Sequence, residues 1–255
     1  MNTAKNIPRE QHVWVVLPAY NEEQSLAPLL DRISDAMLHA RLEYTVLVVD
    51  DGSSDATGRI ARSYAERIPL TLETHPVNLG LGATIRDGLT KSCQLADPGD
   101  VIVTMDADNS HDPNLIPRMV WSLREGRDVI IASRYREGSS VRGVPFARRV
   151  FSRVAGTMFQ TVFPIAGVRD YTCGFRAYRA GVLQHALSIY GPQFFDQQGF
   201  QCMVDILLKL SRMQLIFGEL PMVLRYDMKQ GASKMNVGQT IGSTLLLMVK
   251  RRFRG

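Results

Sequence analysis

The sequence predicts an α/β protein in which a mostly parallel sheet carries helices on both of its faces. Two observations predict this fold. Short apolar runs of strand length alternate with amphipathic helical segments through the first half of the chain. Most of these runs are also apolar along nearly their whole length. Strands of that kind are buried on both faces, which is typical of parallel sheets with helical connections.

The elements follow one another in a regular order. Strands are predicted at residues 13–17, 45–49, 70–74, 101–105 and 128–133. The first helix is predicted from apolar residues at helical spacing, namely Leu26, Leu29, Leu30, Ile33, Met37 and Leu38. Asp55 can cap a second helix, and Gly80-Leu81-Gly82 precedes a third. A fourth helix is predicted at residues 115–123.

Composition limits the classes of protein to consider. At 255 residues, the chain can form one large α/β domain or two small ones. Hydrophobic residues at 45% and charged residues at 22% are typical of a globular protein. The net charge of +5 suits anionic ligands or an anionic membrane surface, and by itself does not indicate nucleic acid.

Three features predict a cytoplasmic protein that is soluble or peripheral to a membrane. Cys93, Cys173 and Cys202 lie far apart, as expected of reduced thiols and not of a disulfide scaffold or a zinc site. No apolar segment follows the first five residues, so no signal peptide is predicted. No run reaches the roughly 18 apolar residues that span a bilayer.

Polar side chains are concentrated where the predicted strands end. Four such clusters occur, at residues 18–23, 50–54, 106–108 and 133–135. Loops are polar in general, but the carboxyl ends of parallel strands meet at one sheet edge, where ligands bind in open α/β folds. Asp106 and Asp108, one residue apart after a buried strand, predict a site for a hard divalent cation that also holds substrate phosphates.

The sequence argues against a glycine-rich phosphate loop. Gly80-Leu81-Gly82 begins like a dinucleotide fingerprint, but Ile85 stands in the place of the third glycine. No Walker motif occurs either. A metal ion and side chains are therefore expected to bind the phosphates.

Five motifs follow one another in the first half of the chain. They are Pro18-Ala19-Tyr20-Asn21-Glu22, Asp50-Asp51-Gly52-Ser53, Asn78-Leu79-Gly80-Leu81-Gly82, Asp106-Ala107-Asp108 and Ser133-Arg134-Tyr135. In order and spacing they resemble the motifs of the family 2 glycosyltransferases, which implies a Rossmann-like GT-A fold. Later motifs at residues 170–178, 198–200 and 231–234 are similar to those of the dolichol-phosphate (polyprenol-phosphate) mannosyltransferases. The resemblance runs from about Val13 to Lys234.

The resemblance implies roles for individual residues. The donor-binding residues would be Pro18, Tyr20, Glu22, Val49, Asp51, Asp106, Ala107, Asp108, Arg134 and Lys234. Asp106 and Asp108 would bind Mg²⁺ or Mn²⁺ bridging the donor diphosphate. Arg134 would contact the same phosphates, and these three residues would be the catalytic ones. Some relatives carry glutamine as a further metal-site ligand where this chain has Ser110, so more of the metal's ligands are expected to be water molecules. His111 is interpreted as a loop residue, because a hard cation prefers oxygen ligands.

A segment at about residues 144–166 is predicted to face the acceptor. It mixes apolar residues with arginines, a pattern that suits a helix lying in a membrane interface. The resemblance implies that Arg148 and Ser152 bind a lipid phosphate, and residues four apart share a helical face. An ordinary amphipathic surface helix is the alternative.

The catalytic domain is expected to span residues 1–235, followed by an amphipathic basic helix at residues 236–255. Residues 241–249 are largely apolar and precede the basic segment Lys250-Arg251-Arg252-Phe253-Arg254, which suits an anchor on anionic lipids. A terminal helix packed on the domain is the alternative. Many relatives carry transmembrane helices here, so a separate membrane-anchoring subunit is a possible partner.

The implied reaction is the inverting transfer of a hexose, mannose from GDP-mannose first of all, to a polyprenyl or dolichyl phosphate. A phosphate monoester is already an anionic nucleophile at neutral pH, so no general base is nominated. One alternative is a family 2 enzyme that uses UDP-glucose or UDP-N-acetylglucosamine with a lipid-phosphate or other acceptor. Another is a non-catalytic nucleotide-sugar-binding subunit of a membrane complex. A sugar-phosphate nucleotidyltransferase is disfavoured, because it usually has a glycine-rich loop after its first strand.

Several motif residues have more than one interpretation. Relatives often carry an arginine shortly before the residue equivalent to Lys234. In this chain, either Arg225 or Lys229 could correspond to that arginine. Asp170, Arg176 and Gln198 are each compatible with a structural role. Arg176 is expected to pair with an acidic residue in the core if its role is structural.

Overall fold

The computed structural model describes residues 11–144, 146–199 and 201–228, without the side chains of residues 146–151 and 155. The strands of this part of the chain are β1 (Val13–Ala19), β2 (Tyr44–Asp50), β3 (Leu70–Thr74), β4 (Val101–Thr104), β5 (Val129–Ser133), β6 (Ser140–Arg142), β7 (Arg176–Arg179), β8 (Phe217–Pro221) and β9 (Val223–Arg225). The α-helices are α1 (Leu26–Ala40), α2 (Thr57–Tyr64), α3 (Leu81–Leu95), α4 (Ile116–Arg124), α5 (Phe146–Val162), α6 (Ala180–Tyr190) and α7 (Cys202–Leu210). Short 3₁₀ helices lie at Pro113–Leu115, Gly191–Phe195 and Tyr226–Met228.

Seven strands form one sheet in the order β3-β2-β1-β4-β7-β5-β8. Neighbours are parallel except for β7, which lies antiparallel between β4 and β5. The predicted mostly parallel α/β sheet is confirmed, and the antiparallel strand is an addition that no apolar run had indicated. A separate small sheet joins β6 to β9 in parallel.

The central strands form the core because their apolar residues are buried on both faces. All seven residues of β1 are buried except Pro18, and β4 and β5 are buried along their whole length. Two groups of helices cover the sheet: α1 packs against α2 and α4, and α3 packs against α6. Because the chain turns from β1 to β2 on one side and reaches β4 on the other, a crevice is expected at the carboxyl end of β1.

The predicted element limits are close to the observed ones. β1 continues past the predicted end through Pro18, which lies opposite Val49 of β2. The second helix begins at Thr57 with Ala56 as its N-cap, so Asp55 lies one residue before the cap position that the sequence predicted for it. Asp55 still contacts the first turn, because its Oδ1 accepts from the Thr57 amide at 2.9 Å. The predicted acceptor segment contains α5. The expected domain boundary at 235, the terminal helix at 236–255 and Lys234 lie outside the described residues.

The three cysteines are buried free thiols. Burial raises the pKa of each thiol to about 12, which keeps them protonated and poorly nucleophilic. In the described part of the chain, no helix combines the length and the apolar character needed to cross a bilayer.

Candidate active site

The ends of four parallel strands bring the predicted site residues to one edge of the sheet. Ala19 of β1 lies opposite Asp50 of β2, and Val16 of β1 lies opposite Thr104 of β4. β5 runs in the same direction as β4, because both are antiparallel to β7. The segments after these strands carry Tyr20 and Glu22, Asp51, Asp106 and Asp108, and Arg134.

The loop after β1 and the loop after β2 are fastened to each other. Asn21, in the left-handed conformation with φ of 50°, receives a hydrogen bond from the Ser54 amide at its Oδ1 and donates its own amide to Ser53 Oγ at 2.9 Å. The Glu22 amide donates to Thr57 Oγ1 at 2.8 Å. These bonds fix the backbone of the predicted nucleotide-binding loop before any ligand arrives.

The predicted donor residues of this region differ in how far a ligand can reach them. Pro18, Tyr20 and Glu22 are half-buried, so part of each side chain faces solvent. Val49 is completely buried, and a Cβ on Gly88 of α3 would lie 3.1 Å from its Cγ2. The Val49 side chain therefore packs in the core, and its donor contact stays a prediction.

Asp51 is buried and is connected to the start of α3. Its Oδ1 accepts from the Leu79 amide at 2.8 Å, and its Oδ2 accepts from the Gly80 amide at 2.9 Å. His75 Nδ1 lies 2.7 Å from Asp51 Oδ1, and His75 Nε2 lies 3.1 Å from Asp87 Oδ2. His75 was not predicted as a site residue, although its position directly after β3, at the same sheet edge, was a usable signal.

Gly80-Leu81-Gly82 serves close packing in this structure. A Cβ on Gly82 would lie 2.2 Å from the Gln197 carbonyl oxygen, a distance that no side chain tolerates. The Gly82 amide donates to the Gln198 carbonyl at 2.8 Å. The start of α3 is thus sealed by the 196–199 segment, which gives the Gln198 motif a structural role.

Residues 106–112 after β4 form a tightly held segment, the acidic turn. Ser110 donates to Asp108 Oδ1 from its amide at 3.0 Å and from its hydroxyl at 2.6 Å. The backbone of Asn109 is left-handed, with φ of 60°. The Ser110 carbonyl accepts from the amide of Arg225 in β9 at 2.9 Å. Asp108 is buried, whereas the Asp106 side chain is 47% exposed.

His111 supports the acidic turn from within. Its ring is stacked on Phe175 with centroids 5.2 Å apart, and its Nδ1 accepts from the Asp106 amide at 3.3 Å. Its Nε2 lies 3.9 Å from Asp106 Oδ2, and the interpretation of His111 as a loop residue stays a prediction. Ser110 orients Asp108.

The acidic turn fits a hard divalent cation. Its two nearby acids offer oxygen atoms, which Mg²⁺ and Mn²⁺ prefer. A Cβ on Gly174 would lie 3.3 Å from Asp106 Oδ1, so the glycine keeps space beside that carboxylate. No group of three or more His, Cys, Asp or Glu side chains suited to a metal occurs among the described residues.

Arg134, Asp170 and Thr172 form a second cluster, the Arg134 cluster. Arg134 donates from Nε to Asp170 Oδ2 at 2.8 Å and from Nη2 to Asp170 Oδ1 at 2.7 Å. Nη2 also donates to Thr172 Oγ1 at 2.6 Å. The Asp170 side chain is completely buried, and that of Arg134 is 20% exposed. One edge of the guanidinium is thus occupied by the protein itself.

Charge pairing controls the ionisation of this cluster. Burial alone would raise the pKa of Asp170, but the Arg134 guanidinium and its hydrogen bonds hold that pKa below its ordinary value of 3.8. Burial alone would lower the pKa of Arg134, but the Asp170 carboxylate raises it well above its ordinary value. Both groups therefore stay charged at neutral pH.

Tyr135 connects the Arg134 cluster to α5. Its hydroxyl lies 2.7 Å from Ser152 Oγ, and the Arg134 guanidinium lies over its ring, 5.6 Å from the centroid. Burial raises the pKa of Tyr135, so the hydroxyl stays protonated. Ser152, predicted to bind an acceptor phosphate, is therefore brought next to the Arg134 motif. The side chain of Arg148, its predicted partner, lies outside the described residues.

Two further charged residues have structural roles. Arg176 is completely buried and donates to the carbonyls of Tyr171, Cys173 and Met203, so carbonyls take the place of the expected acidic partner. Glu219 of β8, missed in the sequence, accepts from the Arg169 and Asp170 amides at 2.6 Å each. Glu219 could not be found from the sequence, because no apolar run had indicated the strand in which it lies.

Arg225 is fixed near its own strand. Its guanidinium contacts Asp227, with the shortest bond at 2.9 Å from Nη2 to Asp227 Oδ2. The role of an arginine before residue 234 stays a prediction for Arg225, and Lys229 lies outside the described residues.

Sequence comparison names the family to which this fold, with its acids and arginine at one sheet edge, belongs. The profile described as Glycosyl transferase family 2 matches residues 14–187. Because this match covers more than half of the chain, the chain belongs to glycosyltransferase family 2, and it is a glycosyltransferase.

Three curated relatives are similar over most of the chain. The dolichol-phosphate mannosyltransferase of Pyrococcus furiosus is 32% identical over 77% of this chain, and the chain spans about half (52%) of its length. The polyprenol monophosphomannose synthase of Mycolicibacterium smegmatis is 32% identical, over 96% of this chain and 88% of the relative. The undecaprenyl-phosphate mannosyltransferase of Micrococcus luteus is 33% identical, over 89% of this chain and 88% of the relative.

Solved structures share the fold. Glucosyl-3-phosphoglycerate synthase from Mycobacterium tuberculosis, bound to Mn²⁺, UDP and its product, aligns with a TM-score of 0.65 at 21% identity. The alignment covers 95% of this chain and 80% of that one. A complex of the same enzyme with Mg²⁺ and UDP also aligns with a TM-score of 0.65, over 95% and 79% of the two chains. This similarity shows the GT-A fold.

Proposed function

We propose that this glycosyltransferase transfers a hexose, with inversion, from a nucleotide-diphospho-sugar to a polyprenyl phosphate, and that the donor is GDP-mannose. The three curated relatives support the lipid acceptor and the mannose, because their names carry both and two of them align over 88% of their own length. The observation that carries the proposal is the Tyr135–Ser152 hydrogen bond, which joins α5 to the sheet edge that bears the acidic turn.

The donor would lie across the carboxyl ends of β1, β2 and β4. Its nucleoside would contact the half-buried Tyr20 and Glu22, and its diphosphate would lie near Asp106 and Asp108. When bound there, Mg²⁺ or Mn²⁺ would supply positive charge to the leaving nucleotide diphosphate. Lys234 would complete the donor site.

Arg134 would also stabilise the leaving nucleotide diphosphate. Its bidentate pair with Asp170 fixes the plane of the guanidinium before the donor binds. A preorganised cation needs no rearrangement as negative charge develops on the diphosphate. The role of the buried acid is thus to orient Arg134.

The acceptor phosphate would attack the anomeric carbon directly. A phosphate monoester has its second pKa near 6, so it is an anionic nucleophile at neutral pH and needs no general base. Direct attack inverts the anomeric configuration. Arg148 and Ser152 would bind this phosphate, and positioning of the two reactants would supply most of the remaining rate enhancement.

The acceptor lipid requires contact with a membrane, for which α5 is suited. Val154, Met158 and Val162 follow one another at helical spacing and are 52%, 40% and 37% exposed. Exposed Arg153 lies beside them. Apolar and basic side chains on one helix favour the interface of an anionic membrane. We place the protein at the cytoplasmic face as a peripheral enzyme, with a membrane-anchoring subunit as a possible partner.

Turnover with defined donors tests the function. The purified protein is incubated with Mn²⁺ or Mg²⁺, a polyprenyl phosphate and, separately, GDP-mannose, UDP-glucose and UDP-N-acetylglucosamine. Mannose in the organic phase from GDP-mannose alone is expected. Sugar transferred to the lipid from a UDP donor would show that the donor is not GDP-mannose. Nucleotide release without a lipid product would show that the acceptor is not a polyprenyl phosphate. No turnover with any donor would favour a non-catalytic binding subunit.

A further inference from the structure

An arginine from a distant part of the chain holds the acidic turn. Arg32 lies in α1, 77 residues before Asn109. Its Nη1 donates to Asn109 Oδ1 at 2.7 Å, and its Nη2 donates to Asp112 Oδ1 at 3.0 Å. Nη1 also lies 3.5 Å from the carbonyl oxygen of His111. One planar guanidinium thus joins both ends of the segment that follows Asp108.

The contact with Asn109 bears directly on Asp108. Asn109 is left-handed, with φ of 60°, a region that costs free energy for most residues but that asparagine tolerates. This conformation turns the chain back, so that Ser110 donates two hydrogen bonds to Asp108 Oδ1. Arg32 therefore supports the residue whose backbone geometry brings Ser110 to Asp108.

The polar contacts of Arg32 serve the turn and not the attachment of its own helix. α1 is attached to the core by completely buried apolar residues such as Leu29, Leu30 and Ile33. All hydrogen bonds of Arg32 to described residues reach the acidic turn. Loss of the guanidinium is thus expected to change the turn much more than the core.

We propose that Arg32 is a positioning residue, which holds Asn109 and Asp112 so that the Asp108 carboxylate is presented to a divalent cation in one orientation. The inference rests on the proposed cation site at Asp106 and Asp108. Arg32 is no ligand itself, since its charge has the same sign as that of the cation. It acts on metal affinity through the geometry of the turn, as residues behind metal ligands do.

Direct metal titration tests this role without relying on turnover. Free Mn²⁺ is measured by electron paramagnetic resonance as it is added to the protein with GDP and, in parallel, with UDP. Arg32→Gln is expected to weaken Mn²⁺ binding by about 10- to 100-fold, the range found when supporting residues of metal sites are replaced. Arg32→Lys is expected to lie between this variant and the unmodified protein, because an ammonium group replaces the two-pronged guanidinium with a point charge.

A matched control removes an arginine that contacts α1 elsewhere. Arg67 Nη2 lies 3.8 Å from Asp31 Oδ1, and both side chains are more than half exposed. Arg67→Gln therefore removes an arginine–aspartate pair of the same helix that does not touch the acidic turn. Its Mn²⁺ affinity is expected to equal that of the unmodified protein.

Asn109→Gly separates positioning from stability. Glycine adopts positive φ without strain, which offsets part of the stability lost with the Arg32 hydrogen bond, so the melting temperature is expected to change little. The variant nevertheless loses the Oδ1 atom that Arg32 holds, and weaker Mn²⁺ binding is expected. If Arg32 acts mainly through Asn109, the double variant Arg32→Gln/Asn109→Gly loses about as much affinity as Arg32→Gln alone.

The outcomes distinguish the inference from the function on which it rests. Unchanged Mn²⁺ affinity in Arg32→Gln and Asn109→Gly overturns the role of Arg32. Absence of Mn²⁺ binding by the unmodified protein, with Asp108→Asn behaving identically, overturns the proposed cation site instead. If Arg32→Gln does not fold, Arg32→Lys and Asn109→Gly decide, and unchanged affinity in both overturns the inference.

Discussion

The acidic turn and the Arg134 cluster each hold an aspartate in place, but with different partners. In the acidic turn, the amide and hydroxyl of Ser110, which are neutral groups, donate to Asp108. In the Arg134 cluster, Asp170 is completely buried and accepts two hydrogen bonds from a guanidinium. An aspartate that accepts hydrogen bonds from neutral donors can be replaced by asparagine at little cost to folding, because the amide oxygen still accepts them. A buried aspartate that neutralises a guanidinium cannot be replaced in this way, because asparagine carries no charge. We therefore expect that substitutions can separate stability from activity in the turn and not in the cluster.

The largest expected effect breaks the pair in the cluster. Asp170→Asn leaves Arg134 without its countercharge, and removal of one partner of a buried pair costs about 3–5 kcal/mol of folding free energy. Urea denaturation measures this loss. Asp227→Asn, the same substitution at the exposed pair with Arg225, serves as the control and is expected to leave the denaturation midpoint in place. Equal midpoints for the two variants would mean that the cluster is not a stability element.

The next effect concerns activity in the acidic turn. Asp108→Asn keeps an oxygen acceptor for Ser110, so the urea midpoint should change little. Sugar transfer is expected to fall at least about 10²- to 10³-fold, because charge stabilisation of the leaving diphosphate is lost. The assay compares initial rates at saturating donor and Mn²⁺. Retained activity with metal present would remove Asp108 from the cation site.

A smaller effect tests the seal between α3 and the segment 196–199. Gly82→Ala places a Cβ 2.2 Å from the Gln197 carbonyl oxygen, and relief of such a clash costs about 1–3 kcal/mol. Thermal unfolding measures the change. Gly99→Ala is the control, since nothing lies within 4 Å of a Cβ there. A melting temperature for Gly82→Ala as high as that of the control would show that the segment moves freely.

Acid unfolding sharpens the comparison further. The pKa of Asp170 lies below its ordinary value of 3.8 in the folded state, so the unfolded chain takes up a proton first as pH falls. The contribution of this group is fully present above about pH 4 and is lost below it, by at most about 1.4 kcal/mol per pH unit. Between pH 5 and pH 2.5, the stability of Asp170→Asn should fall less steeply than that of the unmodified protein. Parallel curves would contradict the low pKa.

The smallest expected effect lies at the link between the cluster and α5. Tyr135→Phe removes the hydrogen bond to Ser152 and should cost about 0.5–1.5 kcal/mol of folding free energy. Ser152→Ala should cost about the same, but it should also raise the KM for the lipid acceptor more than Tyr135→Phe does. Steady-state kinetics with varied polyprenyl phosphate compares the two variants. An equal KM in both would remove Ser152 from the acceptor site.

Local sequence patterns were sufficient to predict the sheet edge and its acids. The runs at residues 13–17 and 101–105 are apolar enough to be buried on both faces, and the polar residues directly after them had to emerge at the same edge. Asp106 and Asp108 could thus be placed at the same sheet edge as the loop after β1 without a structure. β7 escaped prediction because it is short and has an arginine at each end.

The partners of the site residues could not be predicted in the same way. Arg134 meets Asp170 across 36 residues, and Arg32 meets Asn109 across 77. Such pairs depend on how α1, β5 and the following loops pack, and no periodicity in the sequence encodes them. The structure accordingly adds His75, Arg32 and Glu219 to the residues that matter at this edge.

The long separation between Arg32 and Asn109 has a consequence for the order of folding. Contacts between distant residues form only after the intervening chain has collapsed, because closing a long loop costs entropy before any contact is gained. α1 must therefore pack against α4 before the guanidinium can reach the turn. Refolding followed at once by tryptophan fluorescence and by Mn²⁺ uptake should show the core assembling first. With the proposed cation site, the nascent protein would thus acquire its shape before its affinity for metal.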